Sequence, residues 1–440
     1  MKNCNKQNEK IELVDEKTLV IGVDVGSYDE YARAFTCRKQ ELSKKPLHFH
    51  NTAEGFKTFK DWAVNIMKAN GLEKIIVGME PTSIYWEALA TYCKDNGMIL
   101  VHVNPAAVHK SKELDDNDPS KNDRKDPKVI AGLVADGRYQ FPYMPEEEYA
   151  ELRELSNLRI RTQESLTQCK NRLARWYSRY FPEFKEAYKN VVSKTAMIIM
   201  DMYPLPEDIV TLGVEGILQI WRSKKVRGAG ERKARKLYEA ARNSIGRKEA
   251  ASIARIEFKS IKEDLDRYQE RLDEIEKKAD EILPKIKNVD KLFEIKGVGK
   301  ATVLTFLSEV GEISRFDNPK EIQKLAGYAI VTNESCKHQG EKRISYRGRK
   351  RLRWVLYQTA LSVIAKNAEF RQIHAYYTTR TNNPLKGIQS VVAVACKMIR
   401  IFYKILTDGV SYDGTKMTQD KVLAERNSQL SMICRKRGLR

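Results

Sequence analysis

The sequence predicts a mixed α/β domain joined through a long helical arm to a mostly α-helical C-terminal domain. Over residues 17–142, short β-branched runs alternate with helical patterns. Apolar residues then recur at helical spacing along two long segments, and residues 288–413 carry extended apolar helical faces. At 440 residues the chain is too long for one compact core. Residues 1–16 are polar and expected to be flexible, as is the basic tail 414–440, which ends in RKRGLR.

Thr18–Val25 (TLVIGVDV) reads as a strand, with residues 31–36 as its hairpin partner. Phe56, Phe59, Trp62, Ala63 and Ile66 fall at helical spacing. Lys74–Met79 (KIIVGM) reads as a buried strand, 84–96 as a helix and 98–103 (MILVHV) as another strand. A polar stretch follows, and then a helix through 123–135. A hairpin leading into β-α-β-α with apolar central strands defines the α/β domain.

From Glu146 the pattern changes. Leu152, Leu155, Leu166, Cys169, Leu173, Trp176 and Tyr180 mark one long helix. In a second, Ala254, Phe258, Ile261, Leu265, Tyr268, Leu272, Ile275, Ala279 and Ile282 step by four and three, a heptad seam bounded by Pro284. Residues 143–287 are thus expected to form a coiled-coil arm, and the seam leaves open whether it pairs within one chain or between chains. A basic segment separates the two helices: Arg222, Lys224, Lys225, Arg227, Arg232, Lys233, Arg235 and Lys236. In the third region, 351–367 and 384–406 carry the long apolar faces.

With 42% hydrophobic and 31% charged residues, global disorder is excluded. A net charge of +20 favours a polyanionic partner, because each neutralised phosphate releases condensed counterions. No stretch approaches the roughly 18–20 apolar residues of a membrane span, and the N-terminus lacks a secretory apolar core. The seven cysteines are scattered without a CxxC pair, which suits reduced thiols and a cytoplasmic setting better than disulfides or zinc.

Four carboxylates stand out. Asp24 ends the first strand between Gly22 and Gly26, and Glu80 follows the strand KIIVGM directly. Asp123 and Asp126, three apart, share one face of a helix start. Together they can hold one or two Mg²⁺ ions, which take oxygen ligands and leave positions open for phosphate. Each also has a plainer explanation: a turn aspartate for Asp24, a helix cap for Glu80, and N-terminal helix charges for the other two. Asp29, Asp115, Asp116 and Asp118 lie in loop-like polar runs and rank lower.

In the C-terminal region, IKGVGKA resembles a helix-hairpin-helix turn. Gly297, Gly299 and Lys300 there would let a phosphate approach backbone N–H groups. Ser335 follows in a turn-rich stretch, ahead of Lys337, His338, Lys342, Arg343, Arg347, Arg349, Lys350, Arg351 and Arg353. A hydroxyl amid such charge can attack a DNA phosphate, provided that metal or a carboxylate activates it. From the chemistry alone it reads more readily as a loop serine in a DNA-binding patch, with Ser345 and Tyr346 as competing nucleophiles.

These residues resemble the DEDD transposases of insertion sequences. The resemblance rests on Asp24 in GVDVG, Glu80 in MEPTSIYWEAL, and Asp123 and Asp126 in KNDRKDPKVIA. It continues through IKGVGKAT, LAGYAIVTNES, RISYRGRKRLRWVLYQTA and a late helix with Ala393, Lys397 and Tyr403, covering about 17–142 and 288–412. It implies a ribonuclease-H-like N-terminal domain of the Holliday-junction-resolvase (RuvC) type, with the four acids binding Mg²⁺. It further implies a C-terminal transposase domain whose serine, here Ser335, links covalently to DNA. Homo-oligomers, dimers or tetramers with composite sites, and guidance to donor and target DNA by a structured non-coding RNA also follow from it. Cys336 stands where the family often has Gly, and Pro127 where Ala is usual.

Competing classes are an actin-like or sugar-kinase ATPase, a junction nuclease using water, and a non-catalytic nucleic-acid binder. The first draws on GVDVGS, but no second phosphate loop follows a strand, and the +20 charge disfavours it.

Overall fold

A computed structural model of the chain describes residues 2–81, 83–116, 125–331, 334–335, 338–339 and 343–416. Among these, no helix is long and apolar enough to cross a membrane. The chain divides into two compact units, Met1–Met144 and Pro145–Arg440.

The first unit runs α1 (Lys2–Leu13), β1 (Thr18–Val25), β2 (Asp29–Phe35), β3 (Leu47–His50), α2 (Ala53–Ala69), β4 (Lys74–Met79) and α3 (Trp86–Asp95). It continues with β5 (Ile99–Val103), α4 (Pro105–Asp116), α5 (Asp126–Ala135) and β6 (Tyr139–Gln140). The strands form a six-stranded mixed sheet in the order β3-β2-β1-β4-β5-β6, with β1, β4 and β5 parallel and the outer pairings antiparallel. Helices cover both faces, which is why β1 and β4 are apolar almost throughout instead of alternating. On one face Leu19, Ile21 and Val23 pack against Phe59 of α2 and Leu89 of α3. On the other, Val20 and Ile76 pack against Ile130 and Val134 of α5 and Val108 of α4.

The β1–β4 register sets Gly22 opposite Gly78, and α5 lies directly over this pair. A Cβ on Gly22 would fall 1.9 Å from the Pro127 carbonyl oxygen and 2.9 Å from the Ala131 nitrogen. One on Gly78 would fall 2.5 Å from Val134 Cγ2. The two glycines thus form a notch that lets the helix backbone reach the sheet.

Three elements differ from the sequence expectation. β2 begins at Asp29, so that residue belongs to a strand and not a loop. The N-terminal stretch, expected to be flexible, is helical. It docks through Gln7 Nε2 donating to Gly137 O (3.2 Å), Lys10 Nζ to Tyr139 O (2.7 Å) and Tyr139 Oη to Lys10 O (2.8 Å). β3 is a four-residue strand that no apolar run announces.

The second unit begins with α6 (Glu147–Tyr180), α7 (Phe184–Ala187), α8 (Lys194–Met200), α9 (Pro206–Ser223), α10 (Glu231–Arg242) and α11 (Ala251–Ile282). Then come α12 (Lys300–Val310), α13 (Pro319–Leu325), β7 (Ile330–Val331), β8 (Glu334–Ser335), β9 (His338–Gln339), β10 (Arg343–Ile344), α14 (Lys350–Lys366), α15 (Ala368–Thr379) and α16 (Gly387–Asp408). α6 and α11 run antiparallel: Trp176 Nε1 donates to Ala254 O (3.0 Å), Cys169 Sγ to Ile261 O (3.3 Å), and Arg172 pairs with Asp264 (2.8 Å). The seam residues Phe258, Ile261, Leu265 and Leu272 are buried with Leu166, Leu173 and Trp176 of α6 in one core. At the other end, Ala279 and Ile282 join Leu152 in a second core with Leu304, Phe306, Leu356 and Phe402. That core runs across residue 287 without a break.

The stretch read as turn-rich holds two nested antiparallel pairs. β7 pairs with β10, and β8 with β9, where Ser335 and His338 are Cα partners.

Candidate functional site

Side chains alternate across a strand, so the face of the sheet that a residue occupies follows from its neighbours. Gly22 faces α5, and Asp24, two residues on, faces the same way at the carboxyl end of β1. Gly78 also faces α5, and Glu80 lies two residues beyond it. Register Val23↔Met79 is the last pairing of β4, which brings Asp24 of β1 alongside Glu80, the residue just past β4, at the spacing between neighbouring strands, about 4.8 Å. Asp126 opens α5, the helix seated in the glycine notch, and is buried at 8% exposure. Three expected acids therefore sit on one face at one end of the sheet. Asp123 lies outside the described residues.

Among the described residues, the ligating atoms drawn within 4.8 Å of one another belong to a different set: Asp29, His48 and His50. The signal for it in the sequence is the alternation LHFH, which puts two imidazoles on one strand face.

His102, on β5 beside Met79, packs edge-on against Trp86 with ring centroids 4.4 Å apart. Burial pushes its imidazole down to about 4, and Nε2 has no hydrogen-bond partner among the described residues. The folded chain thus keeps His102 neutral while the unfolded chain, with the ordinary value of 6.5, takes up a proton. Stability from this group is full above about 6.5 and falls as pH drops from 6.5 towards 4. Thermal melts across that window are expected to show the decline, and His102→Gln to flatten it. An equal slope in the variant would refute the assignment.

In the second unit, the glycine turn joins a 3-10 turn, Asp290–Glu294, to α12. Gly297 takes φ +104°, and its added Cβ would meet the Val363 Cα at 2.9 Å, so this glycine packs against α14. Gly299, the cap of α12, faces open space. Lys300 is held by Asp280 at 2.6 Å.

The expected basic patch divides into two groups. Arg349 donates to the Glu309 carbonyl (2.6 Å), and Arg353 to the Ala326 and Tyr346 carbonyls (3.1 and 3.0 Å), so both clamp the base of the hairpin. Arg343, Arg347 and Lys350 are exposed. Lys337 and Lys342 lie outside the described residues, as does Cys336, and Ser335 is placed by its backbone alone. Beside the exposed cations stands Trp354, 62% exposed and off the apolar stripe Leu352, Val355, Leu356, Thr359 and Val363. That displacement from the stripe is readable in the sequence, and an exposed indole is the type of side chain on which bases can stack.

An α/β unit with strand-end carboxylates and a helical unit with exposed cations is the arrangement that the sequence reading expected of a protein handling nucleic acid. A transposase family model of the DEDD, IS110 type matches residues 21–182, and a second, transposase of the IS116/IS110/IS902 family, matches residues 289–377. The chain is 24% identical over 293 residues to the insertion element IS116 uncharacterized 44.8 kDa protein of Streptomyces clavuligerus. That alignment covers 66% of this chain and 71% of the relative. To the insertion element IS900 uncharacterized 42 kDa protein of Mycobacterium paratuberculosis it is 23% identical over 304 residues, covering 68% and 74%. The chain belongs to the IS110-type DEDD transposase family of insertion elements. Its substrate is therefore DNA, and its class that of DNA-cutting enzymes.

Proposed function

We propose that this transposase cuts and rejoins DNA through a serine–phosphodiester link, with Asp24, Glu80, Asp123 and Asp126 holding one or two Mg²⁺ ions and Ser335 as nucleophile. The observation that carries it is the placement of Asp24, Glu80 and Asp126 at one end of one sheet face. An all-carboxylate oxygen donor set fits Mg²⁺. When bound, the metal stabilises charge on the attacking and leaving oxygens of a phosphodiester displacement. The chain's own part is positional: two acids ride on strand backbones, and the glycine notch seats the helix that brings the third. The mixed sheet, a hairpin leading into parallel β-α-β units, is compatible with a ribonuclease-H-like fold.

In this scheme the Ser335 hydroxyl gives up its proton and attacks a DNA phosphorus, and a DNA hydroxyl leaves. A hydroxyl of the other strand then attacks the link and restores the serine. Exposed Arg343, Arg347 and Lys350 offer charge for the phosphate. Residues 17–142 would form the metal-binding domain, 143–287 the arm and 288–413 the serine-bearing domain. A structured non-coding RNA would direct a dimer or tetramer to donor and target DNA.

Asp24→Asn and Glu80→Gln are each expected to lower Mg²⁺-dependent strand cleavage by roughly 100-fold or more, beyond the loss typical of residues that only support metal ligands. DNA binding, read by gel shift, should stay within a few-fold. Undiminished cleavage in both variants would remove the acids from the chemistry.

A further inference from the structure

At the outer edge of the N-terminal sheet lies a group of ligating atoms that the acid row does not use. β3 carries His48 and His50 on one face, and β2 presents Asp29 to the same face through the register Asp29↔His50 and Tyr31↔His48. His48 Nε2 stands 2.8 Å from Asp29 Oδ1, and His50 Nδ1 3.2 Å from the same oxygen. A transition metal with bonds of about 2.1 Å holds neighbouring ligand atoms about 3.0–3.4 Å apart. The His50–Asp29 pair stands within that range and the His48–Asp29 pair 0.2 Å short of it, so a small outward shift of one imidazole would admit the ion.

The rings are also fixed in place. His50 stacks on Tyr28 at 4.4 Å, His48 on Tyr31 at 4.9 Å, and the two imidazoles meet edge to face at 5.0 Å. Ring orientation held by neighbours is what a preorganised site needs. His50 Nδ1 is shut off from solvent and makes no well-formed hydrogen bond, although Asp29 is close. An ordinary His–Asp hydrogen bond accounts for His48, but not for a second imidazole turning its nitrogen inward onto the same oxygen. The side chains of all three are about half exposed (45%, 45% and 55%), which leaves a route in from solvent.

We propose that Asp29, His48 and His50 form a three-ligand site for a divalent transition metal of the zinc, cobalt, iron or manganese class, separate from the carboxylate row. Two imidazole nitrogens and one carboxylate oxygen select such an ion over Mg²⁺, and three protein ligands leave coordination positions open. The register places it. His48, Tyr31 and Asp24 form one cross-strand row on the α5 face, so the site lies two strands, about 10 Å, from Asp24.

The test reads binding directly and does not depend on the transposase chemistry. Metal-stripped full-length protein is titrated with Co²⁺, alone and in an Asp24→Asn background that disables the acid row. The expected result is a visible d–d band in both backgrounds, displaced by Zn²⁺ and saturating at one Co²⁺ per chain in Asp24→Asn, where the acid row no longer competes for the ion. Asp29→Asn is expected to weaken Co²⁺ binding at least 10-fold, and His48→Gln/His50→Gln to abolish the band with an unchanged circular dichroism spectrum. Should the double variant not fold, the Asp29→Asn titration decides alone. No band in the wild type, a band that survives in the variants, or an intense thiolate charge-transfer band indicating cysteine ligation would each overturn the proposal.

Discussion

Replacing Ser335 with alanine is expected to abolish the covalent protein–DNA adduct formed with Mg²⁺, a loss of more than about 10³-fold, while leaving DNA binding in place. Ser335 lies on β8, whose backbone pairs with β9 between α13 and α14, and the substitution removes only its hydroxyl. Denaturing gels of radiolabelled DNA would show the adduct as a band of retarded mobility. The competing nuclease reading predicts the reverse: cleavage would continue in Ser335→Ala with free 5′ and 3′ ends, and no adduct would form in the wild type. A third pattern, with the adduct moving to Tyr346 or Ser345, would assign the nucleophile elsewhere in the same hairpin region.

Gly22→Ala is expected to cost about 3 kcal/mol or more and to remove cleavage together with stability. The reason is local: the new methyl would sit 1.9 Å from a carbonyl oxygen and 2.9 Å from a backbone nitrogen of α5, neither of which can rotate away. The helix must lift, and Asp126 rides on its first turn. Gly132→Ala is the matched control, since a Cβ there meets nothing within 4 Å and alanine favours the helix. A chemical denaturation midpoint that falls in Gly22→Ala and holds or rises in Gly132→Ala would locate the effect in the notch. Equal midpoints would mean that α5 does not rest there.

What could be read in the sequence follows from burial. β1, β4 and β5 sit between layers of helices, so their β-branched runs showed through at Thr18–Val25 and Lys74–Met79. α6 and α11 showed through because their apolar spacing is long and regular. β3 did not, since its four residues alternate histidine with apolar side chains, and α1 did not, since it docks by polar contacts with the backbone near Gly137 and Tyr139. Among the candidate site residues, Asp24 and Glu80 stood out by their position at the carboxyl ends of strands, and Asp126 by its place at a helix start. Arg349 and Arg353 looked like phosphate contacts because charge alone does not reveal a guanidinium's partner, and both are occupied by carbonyls of their own unit. Asp29 was set aside as a loop residue, for its meaning depends on a strand that begins two residues earlier than the pattern suggested.

The pairing of α6 with α11 has a consequence for assembly. A heptad stripe can zip only one partner at a time, and here the partner is the returning helix of the same polypeptide. Pairing of two copies along that stripe would compete with the pairing inside each chain. α11 alone spans about 48 Å, from 32 residues at 1.5 Å each, and its sequence between the buried seam positions is rich in Lys, Arg, Asp and Glu. A second copy approaching α11 from outside would therefore meet charge and not a bare apolar seam.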